Sequence, residues 1–115
     1  MNPISINLPP GVEVANYLYP KMDPEDLTQD IITVRLPNDY YIDVGWYPEC
    51  DPNGRFVIRV FQGFWDNQKL DTPMTTKDPL EVIFAVEKLA RHYLRSQIPV
   101  LASGAAPPTR VVMPM

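Results

Sequence analysis

The stretch YYIDVGWY, residues 40–47, alternates between apolar and other side chains. Successive side chains of an extended chain point to opposite faces, so Ile42, Val44 and Trp46 share one side. The same period of two runs through Ile32, Val34 and Leu36, and again through Phe56, Ile58 and Val60. Between these runs lie PND at 37–39 and PECDPNG at 48–54. Both are rich in residues that turns require, and Asn53-Gly54 is a strong reversal signal. Three alternating runs separated by short turns predict an antiparallel meander. Upstream, GVEVANYLY at 11–19 partly alternates, stops at Pro20 and reads as a further strand. Residues 23–30 read as a single acidic helical turn, with Asp23 as N-cap and Pro24 at the first helical position. The segment 66–74, DNQKLDTPM, reads as a short extra strand or as a loop.

After residue 77 the period changes. Val82, Val86, Leu89 and Tyr93 recur at spacings of four, three and four, and Ile83, Ala90 and Leu94 widen the stripe. That spacing places them on one side of a helix. Asp78, Pro79 and Glu81 supply an N-cap, a first-turn proline and the acid of a capping box. Lys88, Arg91, His92 and Arg95 crowd the last turns, where the helix dipole favours cations. Glu87 and Arg91 have the spacing of a favourable pair. Pro99 ends the helix. A long helix laid across one face of an antiparallel sheet is the α+β solution. The expected architecture is a meander of three to five strands with one C-terminal helix on one face. The expected core is Ile32, Val34, Leu36, Ile42, Val44, Trp46, Phe56, Ile58, Val60, Val82, Val86, Leu89 and Tyr93. Residues 1–98 form a single domain in this reading, and the Pro/Ala-rich residues 99–115 form a tail.

The other face of the same sheet raises a question. It carries Thr33 and Arg35, then Tyr41, Asp43, Gly45 and Tyr47, then Val57, Arg59 and Phe61. A wet face would be mostly charged. Three aromatic rings, each able to bury roughly 150–250 Å², rival the ~300–600 Å² of the largest apolar patch on a typical monomer. Three covers are conceivable: the N-terminal segment or the tail, a second copy of the chain, or another protein. Asp43 is placed to pair with Arg35 or Arg59 across neighbouring strands, and Gly45 marks a bulge or a close backbone approach. On the helix, Phe84 falls among Lys88, Arg91 and Arg95, away from the apolar stripe. It reads either as a partly exposed ring lying on the Lys88 stem or as an anchor for an acidic partner.

Composition narrows the functions. The 115 residues suffice for one hydrophobic core without staples. Fourteen prolines fall mostly between the periodic segments and so act as punctuation. Net charge is −4. Nine acids face two bases over residues 1–54, and five face eight over 55–115. Aromatics and Arg on an open sheet suit single-stranded nucleic acids, but the acidic balance and Asp43 at the centre argue against that partner. No apolar run is long enough to cross a membrane. No signal peptide is recognised in MNPISINLPPGVEV, so a cytoplasmic location is expected.

Catalytic chemistry finds little footing. The lone Cys50 sits in a turn between Glu49 and Asp51, which would raise its pKa and not activate it. One His and one Cys do not make a metal site. DPNGR at 51–55 opens like a calcium loop but lacks the later Glu. A carboxylate pair of Asp43 and Asp66 remains open. The expectation is a non-catalytic protein without cofactor that works through protein–protein contact, as a homo-oligomer or an accessory subunit. The residues offered for that contact are Tyr41, Asp43, Tyr47, Val57, Arg59, Phe61 and Phe84. The alternative is a small enzyme or ligand-binding domain with a pocket between this face and the tail.

Overall fold

The structure, a computed structural model, describes residues 2–70 and 73–95, with Trp65 and Asp66 described by backbone alone. Six strands and one helix follow in order: β1 Glu13–Asn16, β2 Ile32–Arg35, β3 Tyr40–Tyr47, β4 Arg55–Gln62, β5 Phe64–Gln68, β6 Met74–Thr76 and α1 Pro79–Arg95. A 3₁₀ turn, Pro24–Asp26, stands where the acidic helical turn is expected. All pairings are antiparallel, in the spatial order β1-β2-β3-β4-β5, and β6 pairs with β4 beyond β5. The meander and the helix are therefore as the hydrophobic periods predict. The ambiguous segment 66–74 contributes the end of β5 and the start of β6, both laid along the same edge of β4.

The core lies between the sheet and α1. Ile32, Val34, Leu36, Ile42, Val44, Trp46, Phe56, Ile58, Val60, Val82 and Val86 are all buried there. Leu89 and Tyr93 are only partly buried, at the rim. Leu18, Leu27, Ile31, Ile83 and Ala90 join the core as well. Full burial of such side chains contributes ~1.5–3 kcal/mol each before the entropy of ordering is subtracted. Trp46 meets Phe56 edge to face at 4.8 Å between centroids, and its indole N–H donates to the Asp51 carbonyl at 2.7 Å. Gly54 makes room for that ring, since a Cβ there would come 2.5 Å from the indole nitrogen.

The N-terminal segment packs on this same side. Ile4, Ile6 and Leu8 lie against the core. The Ile4 N–H donates to the Leu18 carbonyl at 2.8 Å, and the Asn7 N–H donates to Glu87 at 2.8 Å. The segment therefore does not cover the second face of the sheet. Glu87 is used to hold it, and no ion pair with Arg91 forms among the described residues. The helix start also differs in detail from a simple capping box. The Leu80 N–H donates to the Asp78 carboxylate at 2.9 Å, as an N-cap should. Glu81, however, accepts from the Thr76 hydroxyl, whose oxygen in turn accepts the Asp78 N–H. The helix start is thereby tied to β6.

One irregularity shapes the second face. Past the end of β2, residues 28–31 continue along β3. The Ile31 N–H donates to the Val44 carbonyl at 2.9 Å, and the Trp46 N–H donates to the Thr28 carbonyl at 2.8 Å. Gln29 and Asp30 therefore stand together opposite the single residue Gly45, in the manner of a β-bulge. The Gln29 carbonyl oxygen lies 2.4 Å from where a Gly45 Cβ would be. Gly45→Ala must push this backbone away, and the expected cost is about 1–3 kcal/mol. Thermal unfolding should show a midpoint lower by several degrees, and amide spectra should place the largest shifts in residues 28–31.

Candidate functional site

The second face is built in rows by the strand register. Glu13, Arg35, Tyr41 and Phe61 form one row, and Thr33, Asp43 and Arg59 the next. Gly45 lies opposite Val57, and Tyr47 opposite Arg55. Much of this face is already covered within the chain: Val57, Phe61 and Asp43 are buried, and Tyr41, Tyr47 and Arg59 are half-buried. Part of the cover is the 28–30 bulge, which the periodicity of the strands does not announce. The guanidinium groups protect two rings, Arg35 standing 5.8 Å from the Tyr41 centroid and Arg59 5.0 Å from that of Tyr47. Such stacking is favourable by ~0.5–1 kcal/mol or more when partly desolvated. The tail and Asp66, both invoked from the sequence, lie outside the residues whose side chains are described.

Two depressions open on this face. One, of about 300 Å³, is lined by Gln29, Asp30, Asp43, Tyr47, Arg59, Phe61 and Gln68. The other, of about 290 Å³, lies along β1 and β2 between Glu13, Ala15, Thr33, Arg35 and Tyr41. Asp43 sits at the floor of the first and is only 8 % exposed. No hydrogen bond or ion pair engages its carboxylate among the described residues. Burial, and then the nearby negative charge of Asp30, raise its pKa to about 6, with Arg59 pulling weakly the other way. Asp30, which strand periodicity does not put on this face, is brought to Asp43 by the bulge.

Phe84 stands apart from the other six candidates. It is 71 % exposed, with Leu80 and Met74 also exposed nearby. Together with Ile58, Thr75, Thr76, Glu81, Ala85 and Lys88, Met74 and Phe84 line an apolar groove of about 320 Å³ between β6 and α1. This groove is on the helix side of the sheet, away from Tyr41, Asp43, Tyr47, Val57, Arg59 and Phe61. The structure thus places Asp43, Tyr47, Arg59 and Phe61 at the polar hollow, Tyr41 at the depression beside β1 and β2, Val57 buried in the same face, and Phe84 at the apolar groove.

Cys50 is exposed in its turn at φ 59°, with its N–H donating to the Leu27 carbonyl. No group of three or more His, Cys, Asp or Glu comes together among the described residues. No helix among the described residues is long and apolar enough to cross a membrane. Comparison with protein-family models, with characterised proteins and with solved structures gives no match.

The raised pKa of Asp43 has a consequence for stability. In the unfolded chain an Asp titrates near 3.9, and in the fold near 6. The folded state therefore holds this proton more tightly, and the stability it lends is full below pH ~4 and lost as pH rises through 6. Asp43→Asn removes the buried charge. It should stabilise the protein at pH 7.5 by about 1–3 kcal/mol and change it little at pH 4, as measured by urea unfolding at the two pH values.

Proposed function

We propose that this protein is a non-catalytic interaction module that works by pairing with a second copy of itself through the groove between β6 and α1. The observation that carries this reading is the self-complementary charge along the outer stripe of α1. Asp78 and Glu81 lie at its start, Phe84 near its middle, and Lys88, Arg91 and Arg95 towards its end, with all of these side chains exposed. Around a two-fold axis between Phe84 and Ala85, the stripes of two antiparallel helices bring Glu81 of each copy to Lys88 of the other. The same axis sets Asp78 against Arg91. A two-fold contact uses one patch twice and must match itself in this way. The two Phe84 rings meet at the centre, where interface anchors are typically aromatic, and the ion pairs form the polar rim. Among the described residues β6 is paired on one edge, by β4, and its other edge lies within reach of the contact.

The alternative contact, through the aromatic second face, has less to offer a partner, because Val57 and Phe61 are already buried in the single chain. Acidic charge concentrated in the first half and basic charge in the second is also consistent with two copies meeting in antiparallel fashion.

Light scattering on the full chain should give twice the monomer mass at micromolar concentration. Phe84→Glu replaces an exposed helical residue by a good helix former, so the far-ultraviolet spectrum should not change. The dimer should weaken by at least tenfold, equivalent to about 1.4 kcal/mol. Glu81→Lys and Lys88→Glu should each weaken it, and the double exchange should restore it. A wild-type monomer at 100 micromolar, or additive losses in the double exchange, would reject this pairing.

A further inference from the structure

The hollow above Asp43 has the features of a built binding site, independent of the pairing proposed for the helix. Asp43 is more than nine-tenths buried and faces the hollow, yet no donor among the described residues satisfies its carboxylate. A buried charge left this way is costly and calls for a partner. Arg59, its cross-strand neighbour, is the obvious candidate. No ion pair forms between them, and the guanidinium lies instead over the Tyr47 ring. Opposite charges thus share one hollow without a direct ion pair between them. Asp30 stands on the acidic side, and Gln29 and Gln68 add amide groups that can donate or accept. A bare divalent cation suits this hollow poorly, because the guanidinium repels it. A simple anion is opposed by two carboxylates.

We propose that the hollow binds a small zwitterion, with its ammonium group on Asp43 and Asp30 and its carboxylate on Arg59. An amino acid with a short side chain, or an ω-amino acid of a few carbons, is small enough for about 300 Å³. The ammonium group supplies three donors to carboxylates that otherwise repel each other, and Arg59 offers the forked geometry that a carboxylate accepts in two parallel bonds. The bulge that brings Asp30 to Asp43 is then a specificity device, since a regular strand end would leave only one carboxylate in the hollow. Occupation by the ammonium group favours the ionised form of Asp43, so binding tightens as pH rises through 6. The charged or titratable groups facing Asp43 in the described hollow are Asp30 from the bulge, Arg59 from β4 and Tyr47 from β3.

The test is calorimetric and spectroscopic titration of the full chain at pH 7.5 with glycine, L-alanine, β-alanine and γ-aminobutyrate. Methylammonium, acetate and calcium chloride serve as single-charge probes. At least one zwitterion should bind, with methylammonium and acetate each at least tenfold weaker. Asp43→Asn and Arg59→Gln should each reduce its affinity at least tenfold while keeping a folded amide spectrum. In the wild type, saturation should also move the Asp43 carboxyl titration, followed by carbon-detected magnetic resonance, to lower pH. That readout needs no variant. Absence of binding by all four zwitterions at 10 millimolar, binding of calcium alone, an unmoved Asp43 titration at saturation, or wild-type affinity in either folded variant would overturn the proposal.

Discussion

The close approach of the Gln29 carbonyl to Gly45 is the contact on which the second face depends. Backbone reaches backbone there only because residue 45 has no Cβ. With that room, residues 28–31 continue along β3 past the end of β2, fastened by the Trp46 and Ile31 amides. The chain then brings Asp30 and Gln29 over a face that would otherwise hold only Asp43, Tyr47 and their cross-strand partners. The same fastening passes into the core, since Trp46 is the residue whose ring closes the opposite side. Cover on one face and packing on the other are therefore consequences of one strand, β3, having its smallest residue beside its largest.

The two sides of the sheet use their polar groups differently. On the helix side, the polar groups that matter sit at the rim and are satisfied: Thr76 links Asp78 to Glu81, Glu87 holds Asn7, and Asn38 donates to the Tyr93 carbonyl. These contacts fasten the N-terminal segment and the helix onto a core that hydrophobic burial already favours. On the second side, a carboxylate is buried with no hydrogen bond to it among the described residues, and its neighbouring guanidinium lies over an aromatic face. Such an arrangement opposes stability, and groups that oppose stability while lining a hollow are concentrated at functional sites. The apolar groove beside Phe84 is of a third kind. There the exposed Phe84 ring and its exposed apolar neighbours are flanked by charges of both signs in an order that inverts when the helix is turned end for end, so that opposite charges meet.

Most of the fold was legible along the chain because each element satisfies its own local rule. Strands β2, β3 and β4 follow the period of two, and α1 follows the period of 3.6 between an Asp-Pro start and a basic end. Eleven of the thirteen side chains expected in the core are buried, because a face defined by periodicity has only one partner face available. Leu89 and Tyr93 fall short, since they lie on the last turns, where the sheet beneath them ends in the Asn38 turn. Leu27 and Ile31 were not legible, because they lie in irregular chain, which has no period to read, and Leu18, inside the stretch 11–19 that reads as a strand, lies beyond the end of β1 at Asn16. The site followed the same division: Asp43, Tyr47, Arg59 and Phe61 could be placed on one face from β3 and β4 alone, but Asp30 and Gln29 could not.

What the sequence determined by itself was the set of faces: which side chains of each strand and of the helix turn the same way, and that one face of the sheet carries aromatic rings around an Asp. That follows from backbone geometry, which repeats every two or every 3.6 residues whatever surrounds it. Only the tertiary structure decided what lies over those faces. The N-terminal segment could have crossed either side, and its Ile4, Ile6 and Leu8 lie against the core on the helix side. The second face was left to a two-residue bulge, because a bulge depends on which backbone groups find partners across β3, and that pairing joins positions too far apart in the chain for any local pattern to specify.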